Sequence, residues 1–461
     1  MQGLTIETVA KACDGQIFYS DCEQKKWKDH CLTGVEIDSR KLVAGNLFIA
    51  TRGERVDGHS FIPEAFEKGC MAVVCEELPK EKTGPCILVE DSFLALKQIA
   101  AYYRSLLKIP VVGITGSVGK TSTKEVIATV LSEKFSVLKT EANYNNEVGL
   151  PLTILLIREE HQIAVLEMGI NHFGEMTRLS AIARPDVCVI TNIGPCHLEF
   201  LGDLDGVLQA KTEMFQNLKQ GATVCLNGDD QKLQSVEKVQ NKKPVFFGFG
   251  ENNDIRVKEI ENKGLFGSTA LLMTKEESIT FSIPVPGEHM IKNCACAAAV
   301  GLQFGMSLRE IAEGIAHTKA LQGRSRVVEG KDIVIIDDCY NANPLSMKSA
   351  LSLLETAKSR KVAILGDMFE LGEREVELHK EVGEYAAQIK LDLLICIGNL
   401  SKNLYETAKK GTFPCYYFST KEEFIKEIDN LLQVADTVLL KASNGMQFSS
   451  LVEFCLHHTW S

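Results

Sequence analysis

The 461-residue chain is 45% hydrophobic and 24% charged, a composition typical of globular proteins rather than of disordered chains. Its formal net charge of −11 argues against nucleic acid as a partner. No apolar run reaches the roughly 18 residues that a membrane-spanning helix needs, so we expect no membrane insertion.

The 15 cysteines are scattered along the chain, and none forms a C-x-x-C pair. The opening stretch MQGLTIETVAKACDGQ lacks the basic start and apolar centre of a secretory signal. Scattered thiols in an enzyme-sized chain are typical of a reducing compartment, where cysteine serves as a small apolar residue. We therefore expect a cytoplasmic protein.

The length fits about three domains of roughly 150 residues each. Residues 1–107 alternate short apolar strands with helical patterns, which predicts a small α/β N-terminal domain. Ser39 and Arg40 follow the strand-like VEID, and their hydroxyl and guanidinium groups suit a phosphate or a carbonyl oxygen. A strand-end turn with a surface charge is the alternative for the same two residues.

Residues 108–320 predict a central domain, whose first strand runs into the sequence TGSVGKTS. Strand, glycine turn and helix start form the context of a phosphate-binding loop, in which backbone amides and a helix terminus face an anion. Lys120 suits terminal phosphates and the Thr121 hydroxyl suits Mg²⁺, although Ile114 occupies the first glycine position of the standard spacing. We predict a nucleoside triphosphate site, with a glycine turn capping an ordinary helix as the alternative. The predicted contacts are Gly113, Ile114, Thr115, Gly116, Ser117, Val118, Gly119, Lys120, Thr121 and Ser122.

Continued strand–helix alternation predicts a parallel sheet in this domain, with its ligand crevice at the carboxyl ends of the strands. Glu167 ends the strand IAVLE, where a metal-binding carboxylate and a solvated acid are equally compatible with the pattern. His197 follows the next strand, and a structural, hydrogen-bonded histidine is the more common reading. Asn145 and Asn146 can orient an anion or form a polar turn. Lys211, at helical spacing in LQAKTEMF, reads as a surface residue from the pattern alone.

Residues 321–461 repeat the alternation and predict a C-terminal, Rossmann-like α/β domain with an open parallel sheet. The loops 338–344 and 366–372 leave the ends of its strands. Asp338, Tyr340, Asn341 and Asn343 lie in the first of these loops, DDCYNANP. Such a density of hydrogen-bonding groups indicates a ligand, although turn chemistry accounts for the residues nearly as well.

The motifs TGSVGKTS, NNEVGLPLT, LEMG, CHLEF and QAKTEMF stand in the order found in the Mur ligases. The chain resembles that family over about residues 35–445. DSR, LFIATRGERVDGH, IDDCYNANPLSMK and GDMFELG resemble the members that join D-alanyl-D-alanine to UDP-N-acetylmuramoyl-tripeptide. The resemblance implies a monomeric, ATP-dependent ligase of peptidoglycan synthesis. It also implies that the three domains bind the UDP precursor, ATP and the acceptor dipeptide, with the third closing over ATP.

The resemblance further implies an acyl-phosphate mechanism with two Mg²⁺ ions. Thr121 and Glu167 correspond to ligands of the first ion, while His197 and a CO₂-derived carbamate on Lys211 lie at the second. Lys120, Glu167, His197 and Lys211 are therefore the expected catalytic residues. The remaining ATP contacts that the resemblance implies are Asn293 for adenine, and Arg324 and Asp338 for phosphate and ribose.

The substrate candidates are Ser39, Arg40, Asn145, Asn146, Tyr340, Asn341, Asn343, Lys441 and Ser443. Asn444 stands where relatives often have arginine in a K-[AG]-S-R pattern, which leaves the acceptor-carboxylate role of this stretch open. Arg326 lies two residues from Arg324, so either arginine can be the one that reaches ATP.

Three alternatives fit less of the chain. The ligase that adds the third, diamino acid residue should carry a D-N-P-R-like motif, which this sequence lacks. Folylpolyglutamate synthetase leaves the first 107 residues unexplained, and a phosphate-loop switch without ligase chemistry leaves the later motifs unexplained. The sequence does not distinguish lysine from diaminopimelate at the third position of the precursor peptide.

Overall fold

A computed structural model describes residues 1, 3–19, 30–53, 56–80 and 84–460. Cys22, and Glu54 and Arg55 of the LFIATRGERVDGH motif, lie outside the described residues. Over the described ranges, no helix has the length and apolar character required to cross a bilayer.

The first sheet is built from residues within 1–107. Its strands are β1 (Gln16–Phe18), β2 (Val35–Glu36), β3 (Leu47–Ile49), β4 (Ala72–Cys75) and β5 (Cys86–Leu88). The spatial order is β1-β5-β4-β3-β2, and all neighbours are parallel except β1 and β5. The accompanying helices are α1 (Ile6–Ala12), α2 (Ile62–Glu67) and α3 (Ser92–Leu106).

The second sheet, within residues 108–320, has nine strands. They are β6 (Val111–Thr115), β7 (Val137–Lys139), β8 (Ile163–Glu167), β9 (Val187–Ile190), β10 (Thr223–Asn227), β11 (Val245–Gly248), β12 (Ile255–Asn262), β13 (Ser268–Met273) and β14 (Ser278–Ile283). The order is β14-β13-β12-β11-β10-β9-β6-β8-β7. The last two strands in sequence, β13 and β14, form an antiparallel edge beside β12.

Eight helices accompany these strands. They are α4 (Lys120–Ser132), α5 (Gly149–Leu155), α6 (Glu175–Ala183), α7 (Leu198–Leu201), α8 (Leu204–Thr212), α9 (Gln231–Gln234), α10 (Glu288–Gln303) and α11 (Leu308–Ala316). Every residue of β6, β8 and β9 is buried, as expected for parallel strands covered on both faces. Val126, Ile127, Val130 and Leu131 of α4 pack in the core on one of those faces.

The third sheet, within residues 321–461, has six strands. They are β15 (Arg326–Glu329), β16 (Val334–Asp337), β17 (Lys361–Gly366), β18 (Leu393–Ile397), β19 (Cys415–Phe418) and β20 (Thr437–Lys441). The order is β15-β16-β20-β17-β18-β19, parallel except at β15. Its helices are α12 (Pro344–Glu355), α13 (Glu375–Gln388), α14 (Ser401–Ala408), α15 (Lys421–Leu431) and α16 (Ser449–His457). The predicted three-sheet α/β fold is confirmed.

Helix α3 attaches the first sheet to the second through two buried side chains. The Arg104 guanidinium donates to the carbonyl of Ala183 at 2.8 Å and lies 3.4 Å from the Asp186 carboxylate. The Tyr103 hydroxyl donates to the carbonyl of Ile157 at 2.6 Å. Both side chains donate hydrogen bonds to backbone carbonyls of the second unit, so they stabilise this junction.

Candidate active site

A cleft of about 1260 Å³ lies between the second and third sheets. Its walls include the start of α4 and the loop that follows β16, together with side chains from the carboxyl ends of β8 and β9. No described residue before position 110 lines it. Crevices at the carboxyl ends of parallel strands are the usual ligand sites of such sheets, so the cleft is the candidate site.

The phosphate loop between β6 and α4 is held open by the segment after β9. The Ser117 amide donates to the carbonyl of Asn192 at 3.1 Å, and the Val118 amide donates to its side-chain oxygen at 2.9 Å. Thr191 Oγ1 donates to the carbonyl of Val118 at 2.7 Å. The loop then enters α4 at Gly119, which has φ 78°. The first amides of a helix have no intrahelical partner, so those of α4 are available to an anion.

Thr191 and Asn192 were missed as loop supports, although the sequence TNIG at a strand end was a usable signal. The structure also explains the irregular glycine spacing. Gly113, Ile114 and Thr115 belong to strand β6, and the Ile114 side chain is fully buried there. They and Gly116 lie behind the cleft surface, whereas the predicted contacts Ser117 to Ser122 line it.

Glu167 is the buried acid nearest to the loop, with 1% of its surface exposed. Its Oε1 accepts from Asn145 Nδ2 at 2.7 Å and from Thr121 Oγ1 at 3.2 Å. Its Oε2 is buried without a hydrogen-bond partner. Lys120 lies on the same loop and donates to the carbonyl of Gly116 at 2.9 Å. A fixed carboxylate beside a hydroxyl, with one oxygen unpaired, fits a hard cation such as Mg²⁺.

The described residues contain no cluster of three or more His, Cys, Asp or Glu that could hold a metal by itself. A Mg²⁺ ion bound here therefore needs oxygen atoms from phosphate or water in addition to Glu167 and Thr121. That is the usual binding mode of Mg²⁺ at nucleotide sites.

His197 precedes α7 in a left-handed conformation with φ 51°. Its Nδ1 lies 3.0 Å from Glu370 Oε2 on the loop after β17, but the approach leaves Nδ1 without an aligned hydrogen bond. Glu370 also has a left-handed backbone, with φ 61°. The second and third sheets thus meet at this imidazole.

Lys211 lies in the last turn of α8 and has only 1% of its surface exposed. The surface position that the helical pattern alone suggests is therefore wrong. Burial, assisted by the positive charge of Lys120, lowers the pKa of its amine to about 8. No carboxylate of the described chain lies within ion-pair distance of Nζ. The amine is thus poised to lose its proton near neutral pH.

Two basic residues of the third sheet reach the cleft. Lys441 is 2% exposed, and its Nζ donates to Asp338 Oδ2 at 2.6 Å and to the carbonyl of Asn341 at 2.9 Å. Arg324 donates through Nη2 to Thr121 Oγ1 at 3.3 Å, and its guanidinium stacks 3.9 Å from the Tyr340 ring centroid. Arg324 therefore bridges the third sheet to the phosphate loop.

Arg326, the alternative to Arg324, lies in β15 and points elsewhere. Its Nη2 is 3.3 Å from the buried carboxylate of Asp337, and it does not line the cleft. Of the two arginines, the structure brings only Arg324 to the predicted nucleotide site.

Several predicted ligand residues are engaged in backbone capping. Asn146 Oδ1 accepts from the Gly149 amide at 2.8 Å at the start of α5, and Asn343 Oδ1 accepts from the Ser346 amide at 2.9 Å at the start of α12. Both still line the cleft. Ser443 Oγ accepts from the Phe369 amide at 2.9 Å and does not line the cleft. Asn146 and Asn343 therefore form the polar turns that were the alternative to a ligand-binding role for these two residues.

Helix α10 contributes Asn293 and a residue that sequence reasoning missed, His289. Asn293 Oδ1 accepts from Thr123 Oγ1 at 3.0 Å. His289 Nδ1 lies 3.2 Å from Ser349 Oγ on α12, and burial lowers the pKa of this imidazole. Both residues line the cleft, and their spacing of four places them on one helix face. That spacing was the available signal.

Ser39 and Arg40 lie on the first sheet, away from this cleft. Ser39 starts a short 3₁₀ turn and is 7% exposed. Arg40 is exposed and donates to both carboxylate oxygens of Asp38, through Nε at 2.9 Å and Nη2 at 2.8 Å. The two residues are not brought together with the predicted ATP contacts.

The fold and the cleft define a phosphate-loop, nucleotide-binding enzyme in which a separate α/β unit faces the loop. Known sequence families match each part of the chain. The Mur ligase catalytic-domain family matches residues 32–104, the Mur ligase middle domain matches residues 114–301, and the Mur ligase glutamate ligase domain matches residues 323–444.

Curated and solved relatives cover nearly the whole chain. The UDP-N-acetylmuramoyl-tripeptide–D-alanyl-D-alanine ligase of Bacillus subtilis is 36% identical over 97% of both chains. A crystal structure of MurF from Acinetobacter baumannii has a TM-score of 0.90 at 30% identity, covering 99% of both chains. MurF from Thermotoga maritima, solved in complex with ADP, has a TM-score of 0.81 at 30% identity, covering 91% of this chain and 96% of its own. The chain belongs to the Mur ligase family.

Proposed function

We propose that this chain is an ATP-dependent ligase that joins D-alanyl-D-alanine to UDP-N-acetylmuramoyl-tripeptide, giving the pentapeptide precursor of peptidoglycan, ADP and phosphate. The observation that carries the proposal is the contact of Arg324 with Thr121 beside Glu167. It places a cation from the third sheet at a phosphate loop and a buried acid of the second. A relative that carries this activity by name covers 97% of the chain.

The first step joins two anions, the terminal carboxylate of the tripeptide and the γ-phosphate of ATP. The carboxylate oxygen attacks phosphorus, the bond to ADP breaks, and an acyl phosphate forms. Lys120 is placed to move from the Gly116 carbonyl to the phosphates, and Arg324 adds a second cation from across the cleft. When bound, Mg²⁺ supplies further positive charge that screens the two anions.

The residues that would hold Mg²⁺ are Thr121 and Glu167 for one ion, with His197 and a carbamate of Lys211 for another. The carbamate is supported by the burial of Lys211 and by its depressed pKa. Only the neutral amine can attack CO₂, and the product is an oxygen donor of the kind that Mg²⁺ prefers. A buried lysine without a carboxylate partner is otherwise costly.

In the second step, the amine of D-alanyl-D-alanine attacks the acyl carbon and phosphate leaves, which forms the peptide bond. Water in the cleft would compete for the same carbon. Contacts from the third sheet, through Arg324 and the loop pinned by Lys441 and Asp338, restrict water at this point. The Lys441 ammonium already donates to Asp338 and to the Asn341 carbonyl. To bind the dipeptide carboxylate as well, it must share or give up one of these hydrogen bonds.

Three domains with boundaries at 107/108 and 320/321 fit this division of labour, because each sheet lies inside one of those ranges. We assign the UDP precursor to the first domain, with Ser39 and Arg40 as contacts. The acceptor site falls at the third, near Tyr340, Asn341 and Asn343. Monomeric state stays a prediction, as does a cytoplasmic location, which 14 described cysteines without disulfides support.

Phosphate release tests the proposed reaction. With ATP and Mg²⁺, we expect release only when both UDP-N-acetylmuramoyl-tripeptide and D-alanyl-D-alanine are present, because the acyl phosphate is protected until the amine arrives. Release with either substrate alone, or with neither, would contradict the ligase assignment and favour a simple nucleotide hydrolase or switch.

Arg324→Ala is expected to lower kcat/KM for ATP about 10- to 100-fold, the effect of losing one charge-assisted hydrogen bond. Arg326→Ala is the matched control. It leaves kcat/KM for ATP within about twofold but lowers the melting temperature, since Asp337 is left buried without this cation. The reverse pattern in steady-state kinetics would assign the nucleotide contact to Arg326.

Carbamate formation on Lys211 should depend on pH, because burial lowers the pKa of the amine to about 8 and only the neutral amine reacts with CO₂. At a fixed concentration of dissolved ¹³CO₂, the carbamate ¹³C resonance is expected to grow as pH rises, because more of the amine is neutral and because carbamate formation releases a proton. The folded pKa lies below the unfolded value of about 10.4, so deprotonation also adds stability to the unmodified protein between the two values. A resonance whose intensity does not fall as pH is lowered below the pKa of the amine would contradict this assignment.

A further inference from the structure

A second lysine of α4, Lys124, is buried at 1% exposure and has no part in the mechanism above. It lies four residues after Lys120 and three after Thr121, so it neighbours each of them on the surface of the helix. Its Nζ is 3.8 Å from Glu167 Oε2, the oxygen that lacks a hydrogen-bond partner. It is therefore the cation closest to the acid proposed to hold Mg²⁺.

Lys124 also reaches Glu167 through the backbone. Its Nζ donates to the carbonyl of Thr140 at 2.5 Å. The Thr140 hydroxyl in turn accepts from the Glu167 amide at 3.0 Å. One ammonium group thus donates to the residue that fixes the Glu167 main chain and also lies within ion-pair distance of the carboxylate oxygen that has no hydrogen bond.

Two carboxylates, those of Glu125 and Glu167, lie within ion-pair distance of Lys124. Nζ lies 3.2 Å from Glu125 Oε1, and the exposed Lys139 pairs with the other oxygen of Glu125. Glu125 is therefore shared between two lysines, whereas the Glu167 carboxylate faces Lys124 alone among the cations of the described chain. A buried ion pair of this kind is weak evidence for stability, since apolar residues often replace it at no cost.

We propose that Lys124 is a positioning residue for the metal site. It keeps the Glu167 carboxylate turned so that Oε1 faces Thr121 and the cleft. This inference rests on the proposed function, because it assumes that Glu167 holds Mg²⁺ beside the nucleotide. A change at Lys124 then alters metal affinity without touching ATP.

The test measures binding of a non-hydrolysable ATP analogue to the full chain by calorimetry, with and without Mn²⁺. For Lys124→Met, which keeps the length and loses the charge, we expect Mn²⁺-dependent binding to weaken about 10- to 100-fold, as for other residues that orient a metal ligand. Binding of the analogue without metal stays within about twofold of the unmodified protein. Lys139→Met, which removes the other cation on Glu125, is the matched control and leaves both quantities unchanged.

Combining Lys124→Met with Glu167→Gln distinguishes a positioning role of Lys124 from a general structural role. If Lys124 acts through Glu167, Lys124→Met costs no further Mn²⁺ affinity in that background. The double variant should also fold where the single one fails, because it leaves no unpaired buried carboxylate. Unchanged Mn²⁺ affinity in Lys124→Met, an equal loss in the Glu167→Gln background, or unfolding of both variants would overturn the inference.

Failure of the proposed function has a different signature. The unmodified protein would then show no Mn²⁺-dependent gain in binding of the analogue, and the positioning role of Lys124 would fall with the metal site.

Discussion

Lys211→Ala is expected to reduce peptide-bond formation at least about a thousandfold, since losing a metal-ligand group removes several kcal/mol of transition-state stabilisation. The side chain is buried in the last turn of α8, near Cys196 and Lys120. Its removal leaves a cavity that a small carboxylate can enter, so added carboxylates should restore part of the activity. Steady-state phosphate release, with and without the carboxylate, measures both effects.

Lys211→Met provides the matched control for that rescue. Methionine fills the space that alanine leaves, so the variant should be equally inactive but should not respond to carboxylates. Melting temperatures of both variants establish that they are folded. Near-normal activity of Lys211→Ala would remove the carbamate from the mechanism, and equal rescue of both variants would show that carboxylates act elsewhere.

Gly116→Ala is expected to lower ATP affinity at least about thirtyfold, the consequence of roughly 2 kcal/mol or more from strain and overpacking. Gly116 has φ 153°, and a Cβ atom there would lie 1.9 Å from Thr191 Oγ1. Because Thr191 holds the Val118 carbonyl, the clash displaces the loop from its support. Equilibrium binding of ATP measures the loss.

Gly305→Ala is the control for backbone strain without a clash. Gly305 has φ 69°, and a Cβ atom there would meet nothing within 4 Å. Its alanine variant should be destabilised by about 1 kcal/mol while ATP affinity stays unchanged. If both alanine variants bind ATP normally, the geometry assigned to the phosphate loop is wrong.

Apolar runs located the strands whose residues are buried throughout, such as β6, β8, β9 and β18. They failed for β7 and β15, in which no residue is fully buried. In these two strands the apolar contrast is too weak to set the strand apart from its neighbours in sequence. The antiparallel pairing of β15 was likewise invisible, because it depends on a partner strand rather than on local pattern.

Site residues that lie close together in sequence could be predicted, whereas those brought together only by the fold could not. The glycine turn with Lys120 and Thr121 identified the phosphate loop from one short stretch. The burial of Lys211 and Lys124 was not readable, since helical spacing places a lysine on a face without saying what covers that face. The contact between His197 and Glu370 joins residues from two sheets, so no spacing rule could reveal it.

Mass spectrometry of the reaction product tests the central claim most directly. With ATP, Mg²⁺ and D-alanyl-D-alanine, the account predicts that UDP-N-acetylmuramoyl-tripeptide gains the mass of the dipeptide less one water. Running the tripeptides that carry lysine and diaminopimelate in parallel also identifies the third residue that the chain accepts. Consumption of ATP with both precursors left at their original mass would contradict the account.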